Sequence, residues 1–289
     1  MSRRKIPWVS TFVAMALLGG AVTADDKILM SPIPDNAGVR PLIIGGEQAK
    51  HQDWPSSLHF TAGGKNCTST IIGDKALLSA AHCLSGTNRA RVVVANTLIE
   101  VVCKLHPGYR TQANCNTASL PQDIVGCTAD VAMCRPVGEA AFPRSAGKFE
   151  SIKMNGARIQ LADKIVLLGF GCTIAGGPIS SDLQFGNATV VQVSSPGASS
   201  VDRYKALEEY VKAMGPGISC DGDSGGAVFT DKAGGRTILG LVSRGNLTSS
   251  TFIVDLRDDH ILDWIRRWET DEKVAICGLN ASANNCMGG

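Results

Sequence analysis

This chain of 289 residues lacks the features that mark several classes of protein. Once residues 1–42 are removed, acidic and basic residues are equal in number, so no excess charge would attract the chain to nucleic acid. None of the ten cysteines stands in a Cys-x-x-Cys pair and the five histidines are scattered, so we expect no metal site. We also expect no cofactor.

Long apolar runs are missing as well, apart from one near the start. Residues 3–5 are basic, residues 6–18 are largely apolar, and small residues follow as far as Ala24. A membrane-spanning helix needs ~20 apolar residues, so the run indicates a signal peptide, residues 1–24, rather than an anchor. We therefore predict secretion, to an extracellular or periplasmic compartment, with no membrane attachment after cleavage. Residues 25–42 contain three prolines and no apolar periodicity, and we interpret them as a propeptide.

What the chain does contain is an even number of cysteines and many short apolar runs. In an exported protein the ten cysteines indicate disulfides. The runs are separated by Gly, Asn, Asp, Ser and Pro, a pattern typical of an all-β protein. They are Ser57–Thr61, Ser69–Ile72, Ala76–Leu78, Ala90–Val94, Leu98–Val102, Ile165–Leu168, Val190–Val193, Ala227–Thr230, Thr237–Val242 and Phe252–Val254.

Two segments have helical rather than strand spacing. Apolar residues recur at helical intervals in Ser200–Met214 and again in Asp258–Thr270. We predict that both are packing helices. A soft domain boundary is expected near residues 140–157, where proline and glycines interrupt the strand pattern.

The most informative stretch is Cys220–Gly226, which reads Cys-Asp-Gly-Asp-Ser-Gly-Gly. Glycines on both sides of Ser224 allow a tight turn whose backbone can approach a reacting carbonyl closely. Ser224 is therefore a candidate nucleophile, provided that a base and an orienting carboxylate exist elsewhere. The alternative is a glycine-rich turn between strands.

His82 and Asp130 are the candidates for those two groups. His82 follows an apolar strand and two alanines, which leave room for an imidazole beside a cleft. A single histidine at a strand end is more often structural. Asp130 enters the apolar strand that follows it, where a carboxylate needs a hydrogen-bond partner such as a histidine ring N–H.

These residues together resemble the trypsin/chymotrypsin family of serine proteases. Four signals stand in the family's order: Ile43-Ile44-Gly45-Gly46, Ala80-Ala81-His82-Cys83, Asp130-Val131-Ala132 and Gly222-Asp223-Ser224-Gly225-Gly226. The similarity covers roughly residues 43–270.

The resemblance implies two antiparallel Greek-key β-barrels and a C-terminal helix. The expected domains are residues 43–145 for the first barrel, 146–270 for the second barrel with its closing helix, and 271–289 for a disulfide-closed tail. By the resemblance, His82, Asp130 and Ser224 form a catalytic triad in the cleft between the barrels. The backbone N–H groups of Gly222 and Ser224 would form the oxyanion hole.

The resemblance also implies activation by cleavage, with one departure. The new N-terminal ammonium of Ile43 would pair with Asp223 and order the substrate site. The family usually has a basic residue before this bond, but Ile43 follows Arg40-Pro41-Leu42. We therefore expect cleavage after Leu42, by the enzyme itself or by another protease.

Substrate-binding residues follow from the resemblance too: Ile218, Ser219, Ser243, Arg244 and Gly245. Ile218 stands at the base of the primary pocket, where trypsins carry an aspartate. A buried Lys or Arg would find no partner there, so we predict cleavage after apolar residues, small to medium in size if Ile218 fills the pocket. Arg244 replaces a usual aromatic residue. It either favours acidic groups at neighbouring substrate positions or lies in solvent.

Five disulfides are expected on the same basis. Cys67–Cys83 resembles the family's bridge beside the catalytic histidine, and Cys172–Cys220 is proposed because the family's fold places those two loops together. The other assignments are Cys103–Cys134, Cys115–Cys127 and Cys277–Cys286.

The predicted function is a secreted serine endopeptidase with a chymotrypsin- or elastase-like preference. Its partners would be protein or peptide substrates and an activating protease, and the protein would be a monomer. The alternative is an inactive binding protein on a protease scaffold. All three triad residues are present, so that alternative requires activation to fail or Arg244 to block the cleft.

Overall fold

We describe a computed structural model covering residues 43–109, 129–143, 148–152, 159–193, 210–230, 236–279 and 286–287. The expected signal peptide, the propeptide with Leu42, and the Cys115–Cys127 pair lie outside these residues. Strands dominate the fold, as predicted. No helix in the described part of the chain is long and apolar enough to cross a membrane.

The first barrel consists of six antiparallel strands in the closed order β2-β3-β4-β7-β6-β5. β5 shows why the sequence folds this way: its residues alternate between exposed and buried, so one side chain in two enters the barrel. The strands are β2 (Ser57–Ala62), β3 (Lys65–Gly73), β4 (Ala76–Ser79), β5 (Arg89–Val94), β6 (Thr97–Leu105) and β7 (Ala132–Pro136).

The second barrel is also closed, in the order β9-β10-β13-β12-β11-β8 with β8 paired to β9. The short strand β1 (Glu47–Gln48) adds to the outside of β9, so the start of the described chain belongs to this barrel. Its six strands are β8 (Lys164–Gly169), β9 (Gln184–Gln192), β10 (Tyr210–Met214), β11 (Ala227–Thr230), β12 (Ile238–Gly245) and β13 (Thr251–Asp255).

Each of the ten predicted runs overlaps a strand, but one of the two predicted helices is wrong at its C-terminal end. Tyr210–Met214 is β10 and pairs with β13 and β9. Its helical spacing of apolar residues was outweighed by the backbone hydrogen bonds that close the barrel. The rest of that predicted helix, residues 200–209, lies outside the described residues.

The other predicted helix is present as α1 (Asp259–Glu272). The Asp258 side chain caps its N-terminus by accepting a hydrogen bond from His260 N at 3.0 Å. Its apolar face is buried in a cluster that also contains Trp54 and Leu78 of the first barrel's segment and Val166 and Phe229 of the second. The helix therefore closes the junction between the barrels.

Four of the five expected disulfides fall within the described residues, and all four are formed. They are Cys67–Cys83, Cys103–Cys134, Cys172–Cys220 and Cys277–Cys286. The last one lies in the tail, where Cys277 N donates to Ile72 O at 2.7 Å. The tail thus packs back onto the first barrel.

Candidate active site

His82 lies where β4 leaves the first barrel. The strand ends at Ser79, and a 3₁₀ turn, Ala81–Leu84, then carries the histidine outward. Ala80 and Ala81 are fully buried, so their small side chains let the turn sit against the barrel. The His82 side chain is one-third exposed (33%) and reaches the surface between the barrels.

Asp130 precedes β7 and is buried. His82 Nδ1 lies 2.7 Å from its Oδ2, and the His82 backbone N–H donates to Oδ1 at 2.8 Å. Ser243 Oγ, from the second barrel, donates to Oδ2 at 2.6 Å. Three donors therefore fix the carboxylate. With the Nδ1 proton directed at it, His82 keeps Nε2 as an acceptor.

These contacts shift both pKa values in the direction that stabilises an ion pair. Burial alone would lower the pKa of His82, but the charge and hydrogen bond of Asp130 outweigh it and the net pKa is raised. Burial alone would raise the pKa of Asp130, yet the charge of His82 and the hydrogen bonds lower it. Asp130 is thus held as a carboxylate beside a strengthened base.

The loop Cys220–Gly226 forms the turn that the glycines predict. Asp223 N donates to Cys220 O at 3.1 Å, and Gly222 stands at the third turn position with φ +102°. A type II turn requires φ above zero there, which favours glycine. Gly225 (φ +83°) lies so close to Ser79 and Ala80 of the first barrel that no Cβ would fit.

Ser224 lies on this loop next to His82. The sulfur of Cys83 is 3.9 Å from His82 Nε2 and 3.8 Å from the Ser224 carbonyl oxygen, so the two residues share a neighbour. The Ser224 hydroxyl donates to Ser243 O at 3.1 Å rather than to His82 Nε2. The hydroxyl would have to leave this contact before it could donate to the imidazole.

The backbone N–H groups of Gly222 and Ser224 have no hydrogen-bond acceptor among the described residues. The carbonyls of both residues, in contrast, accept hydrogen bonds from Thr68. Two open N–H donors beside a serine hydroxyl can receive an oxyanion.

Asp223 points away from Ser224 into the protein and is fully buried. Its carboxylate accepts from Gly171 N at 2.7 Å and Cys220 N at 2.8 Å. No Lys, Arg or His side chain in the described part of the chain lies within ion-pair distance. Burial therefore raises the pKa of Asp223 to about 7, despite the two N–H donors.

Ile43 and Ile44 lie against the second barrel. The Ile43 side chain is fully buried in a cluster with Ile165 and Ala188. Ile44 forms an antiparallel bridge with Ile218, whose N–H donates to Ile44 O at 3.0 Å. Ile44 is thus bonded to the residue predicted at the base of the substrate pocket.

The residues predicted to line the substrate pocket lie close together. Ser219 N donates to Thr251 Oγ1 at 2.9 Å, so the Thr251 side chain extends from β13 to the opposite wall. Gly245 faces Ser219 across the same space, and a Cβ on Gly245 would lie 2.6 Å from Ser219 Oγ. Ile218 is buried below. Ser219 and Gly245, two of the residues predicted to bind substrate, therefore lie in close contact.

Two cations lie near His82. Lys65 Nζ donates to the His82 carbonyl at 3.2 Å. Arg244, next to Ser243, lies with its guanidinium carbon 5.5 Å from the centre of the Phe252 ring. Both cations oppose the charging of His82 and lower its pKa, a smaller effect than that of Asp130.

One His/Cys cluster in the described residues has ligand atoms close enough for a metal ion: Cys67, His82 and Cys83. Cys67 and Cys83 are bonded to each other, so neither offers the thiolate that a metal would need. The cluster does not fit a metal site.

Three residues in this region were not found by sequence reasoning: Thr68, Lys65 and Thr251. Thr251 pairs with Gly245 across the β12–β13 hairpin, a register that no local pattern in the sequence marks. Thr68 and Lys65 reach the site through the first barrel, and no local pattern in the sequence marks them.

Two antiparallel barrels that bring a histidine–carboxylate pair beside a glycine-flanked serine define the two-barrel serine protease class. The family model described as Trypsin matches residues 43–265. The chain therefore belongs to the trypsin family of serine proteases.

Curated relatives and solved structures agree with this assignment. Chymotrypsin-like elastase family member 1 of Canis lupus familiaris is 26% identical over 208 residues, covering 70% of this chain and 80% of its own length. Chymotrypsin-C of Bos taurus is 26% identical over 245 residues (78% and 88%), and alkaline trypsin C of Manduca sexta is 28% identical over 255 residues (81% and 89%).

Two solved structures share the fold. The human heparin binding protein superposes with a TM-score of 0.57 at 18% identity, covering 78% of this chain and 95% of its own. Neuropsin, a serine protease expressed in the limbic system of mouse brain, gives a TM-score of 0.55 at 19% identity (77% and 98%). The relatives include elastase, chymotrypsin and trypsin, so family membership leaves the specificity open.

Proposed function

We propose that this protein is a secreted serine endopeptidase that cleaves after small apolar residues. The observation that carries the proposal is the contact of His82 with the buried Asp130 beside Ser224 and two open N–H groups. A histidine with Nδ1 directed at a carboxylate is suited to act as a general base through Nε2.

The reaction follows the mechanism of the family. Ser224 Oγ attacks the substrate carbonyl carbon while its proton passes to His82 Nε2. Asp130 stabilises the imidazolium, and the N–H groups of Gly222 and Ser224 stabilise the oxyanion. His82 then protonates the leaving amine, and an acyl-enzyme remains on Ser224. Water, deprotonated by His82 in the same way, then attacks the acyl group and releases the acid product.

The narrow pocket favours alanine-sized side chains in the residue before the cleaved bond. Thr251 and the Gly245–Ser219 contact reduce the depth available above Ile218. A Lys or Arg side chain would also be desolvated there without an acidic partner, which costs several kcal/mol. This narrows the sequence-based expectation from small-to-medium residues to small ones.

Activation is proposed to follow cleavage between Leu42 and Ile43. The buried Asp223 carboxylate has no cation among its described neighbours, and a new ammonium at Ile43 would supply one. Cleavage after Arg40 would leave Pro41-Leu42 ahead of the buried Ile43 and prevent this pairing. N-terminal sequencing of the active secreted form tests the site, and a start at Pro41 would contradict it.

Secretion is proposed from the signal-like residues 1–24, and the four disulfides are consistent with an oxidising compartment. We propose a monomer that acts on protein or peptide substrates after activation.

The central test is a digest of a mixed peptide library by protein that begins at Ile43, with Ser224→Ala as the control. We expect cuts after Ala and other small apolar residues, and none in the control. Preferential cleavage after Arg or Lys would overturn the specificity. If a fluorophosphonate fails to label Ser224 in the matured protein, the alternative of a binding protein on this scaffold is favoured instead.

Thr251→Gly tests the pocket directly. Removing the side chain should open the space above Ile218, so the ratio of kcat/KM for Leu or Phe peptides over Ala peptides should rise at least tenfold. Thr70→Val, a change at a buried threonine of β3 in the first barrel, serves as a control and should leave the ratio unchanged. An unchanged ratio in Thr251→Gly would show that Thr251 does not limit the pocket.

A further inference from the structure

Thr68 of β3 connects the first barrel to the nucleophile loop through its backbone N–H and its hydroxyl, and all of its polar groups are hydrogen-bonded. Its backbone N–H donates to Ser224 O at 2.9 Å, and its carbonyl accepts from Ser79 Oγ at 2.8 Å. Its hydroxyl donates to Gly222 O at 2.8 Å and accepts from Phe170 N at 3.0 Å. The residue is fully buried, so water does not compete for these bonds.

The hydroxyl has only one proton, and this fixes the direction of the chain of bonds. Phe170 N–H can only donate, so the Thr68 oxygen accepts from it and the hydroxyl proton is left for the Gly222 carbonyl. The hydroxyl therefore holds the Gly222–Asp223 peptide by its carbonyl, next to the Asp221–Gly222 peptide that carries the Gly222 N–H. No backbone group provides this contact: it depends on the side chain at position 68.

Gly222 needs such support because its own backbone offers little resistance to rotation. Glycine populates both signs of φ, so the Asp221–Gly222 peptide can turn its N–H away from Ser224 at low cost. Asp223 N bonding to Cys220 O closes the turn from within the loop. Thr68 and Phe170 add an anchor from outside it.

We propose that Thr68 is a positioning residue for the oxyanion hole, acting through the Gly222 carbonyl. The inference rests on the proposed protease function. It does not make Thr68 a catalytic residue, because the hydroxyl faces the loop rather than the substrate.

The test compares Thr68→Val, which keeps the shape and removes the hydroxyl, with Thr70→Val. Thr70 lies two residues further along β3, is equally buried, and its hydroxyl has no hydrogen-bond partner among the described residues. We expect Thr68→Val to lower kcat about 10- to 100-fold with little change in KM, because loss of an oxyanion donor costs ~10²–10³ in kcat and displacement costs part of that. Thr70→Val should remain at the wild-type value.

A second pair of variants covers the case in which Thr68→Val does not fold. Thr68→Ser keeps the hydroxyl and should stay within about threefold of wild type, whereas Thr68→Ala should fall with Val. All variants are produced in a host without N-glycosylation, because Thr68 completes the acceptor Asn66-Cys67-Thr68. Equal kcat for Ser and Ala, or for Thr68→Val and Thr70→Val, would overturn the proposal.

A crystal structure of the best-folded variant without the hydroxyl, Thr68→Val or Thr68→Ala, gives an answer that needs no turnover. In this variant the Asp221–Gly222 peptide, which carries the Gly222 N–H, should be rotated or disordered, whereas it should be unchanged in Thr70→Val. An unchanged Asp221–Gly222 peptide in the variant without the hydroxyl contradicts the inference. Absence of hydrolysis by the wild-type protein, in contrast, would reject the proposed function and leave this structural comparison to decide on Thr68.

Discussion

Asp130 and Asp223 are both buried carboxylates, but their pKa values are shifted in opposite directions. Both are buried at the junction of the nucleophile loop and the barrels, and each accepts at least two hydrogen bonds. Asp130 has a histidine to share its charge, and its pKa is lowered. Asp223 has backbone donors only, and its pKa is raised to about 7.

The difference divides the candidate site into a base half, His82 with Asp130, and a nucleophile half, the loop that carries Ser224 and Asp223. Backbone N–H groups reduce the cost of burying a carboxylate but do not cancel it, whereas a neighbouring cation can. The base half, His82 with Asp130, is already assembled. In the nucleophile half, the ionised form of the Asp223 carboxylate needs a positive charge beside it to be fully stabilised. This is the physical basis of the proposed activation at Ile43.

The largest expected effect comes from removing the charge of Asp130 in the base half. Asp130→Asn should lower kcat by roughly 10⁴-fold, the magnitude known for this position in the trypsin/chymotrypsin family. An asparagine can turn its amide N–H₂ toward His82 Nδ1, which stabilises the wrong tautomer and occupies Nε2 with the proton. Steady-state kinetics on an Ala peptide measure it, with circular dichroism to show that the variant is folded. A loss below tenfold would separate Asp130 from catalysis.

The second effect concerns how the unfolding free energy depends on pH through Asp223. A carboxyl whose pKa is raised on folding stabilises the folded state below its unfolded pKa, and that stability is lost as the pH rises through about 7. We expect the unfolding free energy of the uncleaved chain to fall between about pH 4 and pH 7 relative to Asp223→Asn, by ~1.4 kcal/mol for each pH unit, and to level off above pH 7.

Urea unfolding at several pH values measures that difference, with Ser224→Ala in both proteins to prevent self-cleavage. Asp263→Asn, at an exposed position on α1, is the matched control and should follow the parent protein. After cleavage at Ile43 the pH dependence should weaken or reverse, because the ammonium now pairs with Asp223. Parallel curves for the parent and Asp223→Asn would mean that Asp223 is not the titrating group.

How much of this contrast the sequence could predict depends on which residue is considered. Asp130, His82 and Ser224 stand in motifs, so the resemblance located them and implied their roles. The pairing of Cys172 with Cys220 also followed from it, although this chain lacks the more usual partner after Gly245. Motifs of this kind record local backbone requirements, such as the turn at Gly222, that few residue types satisfy.

Thr68, Thr251 and the β10 strand show what could not be predicted. The Thr68 hydroxyl bonds to Gly222 across 154 positions of sequence, and this contact depends on how the two barrels dock. The β12–β13 register pairs Thr251 with Gly245, and docking of the Ser219 segment brings Ser219 N to the Thr251 hydroxyl. Tyr210–Met214 has helical spacing, but barrel closure decides its conformation. Each outcome is set by tertiary contacts that leave no local pattern.

A smaller effect is expected from the third donor to Asp130. Ser243→Ala removes the hydrogen bond from Ser243 Oγ, which connects the second barrel to the base half, and should lower kcat about tenfold, the equivalent of ~1.4 kcal/mol. Ser57→Ala is the matched control, because the buried Ser57 hydroxyl has no hydrogen-bond partner among the described residues. Equal kcat in the two variants would show that His82 alone orients Asp130.

The smallest expected effect comes from the two cations near His82. Lys65 and Arg244 lower the pKa of His82, and Asp130 raises it, so neutralising either cation should move the acid limb of kcat/KM to higher pH. We expect Lys65→Met and Arg244→Met each to shift it by a few tenths of a unit, since both charges are partly solvated. The shifts should disappear in 1 M salt, where exposed charges are screened. Lys164→Met, at a cation on β8 whose Nζ bonds to Thr189, is the control and should leave the limb in place. A shift to lower pH would mean that these cations act on another group, and the electrostatic account of the base half would have to be revised.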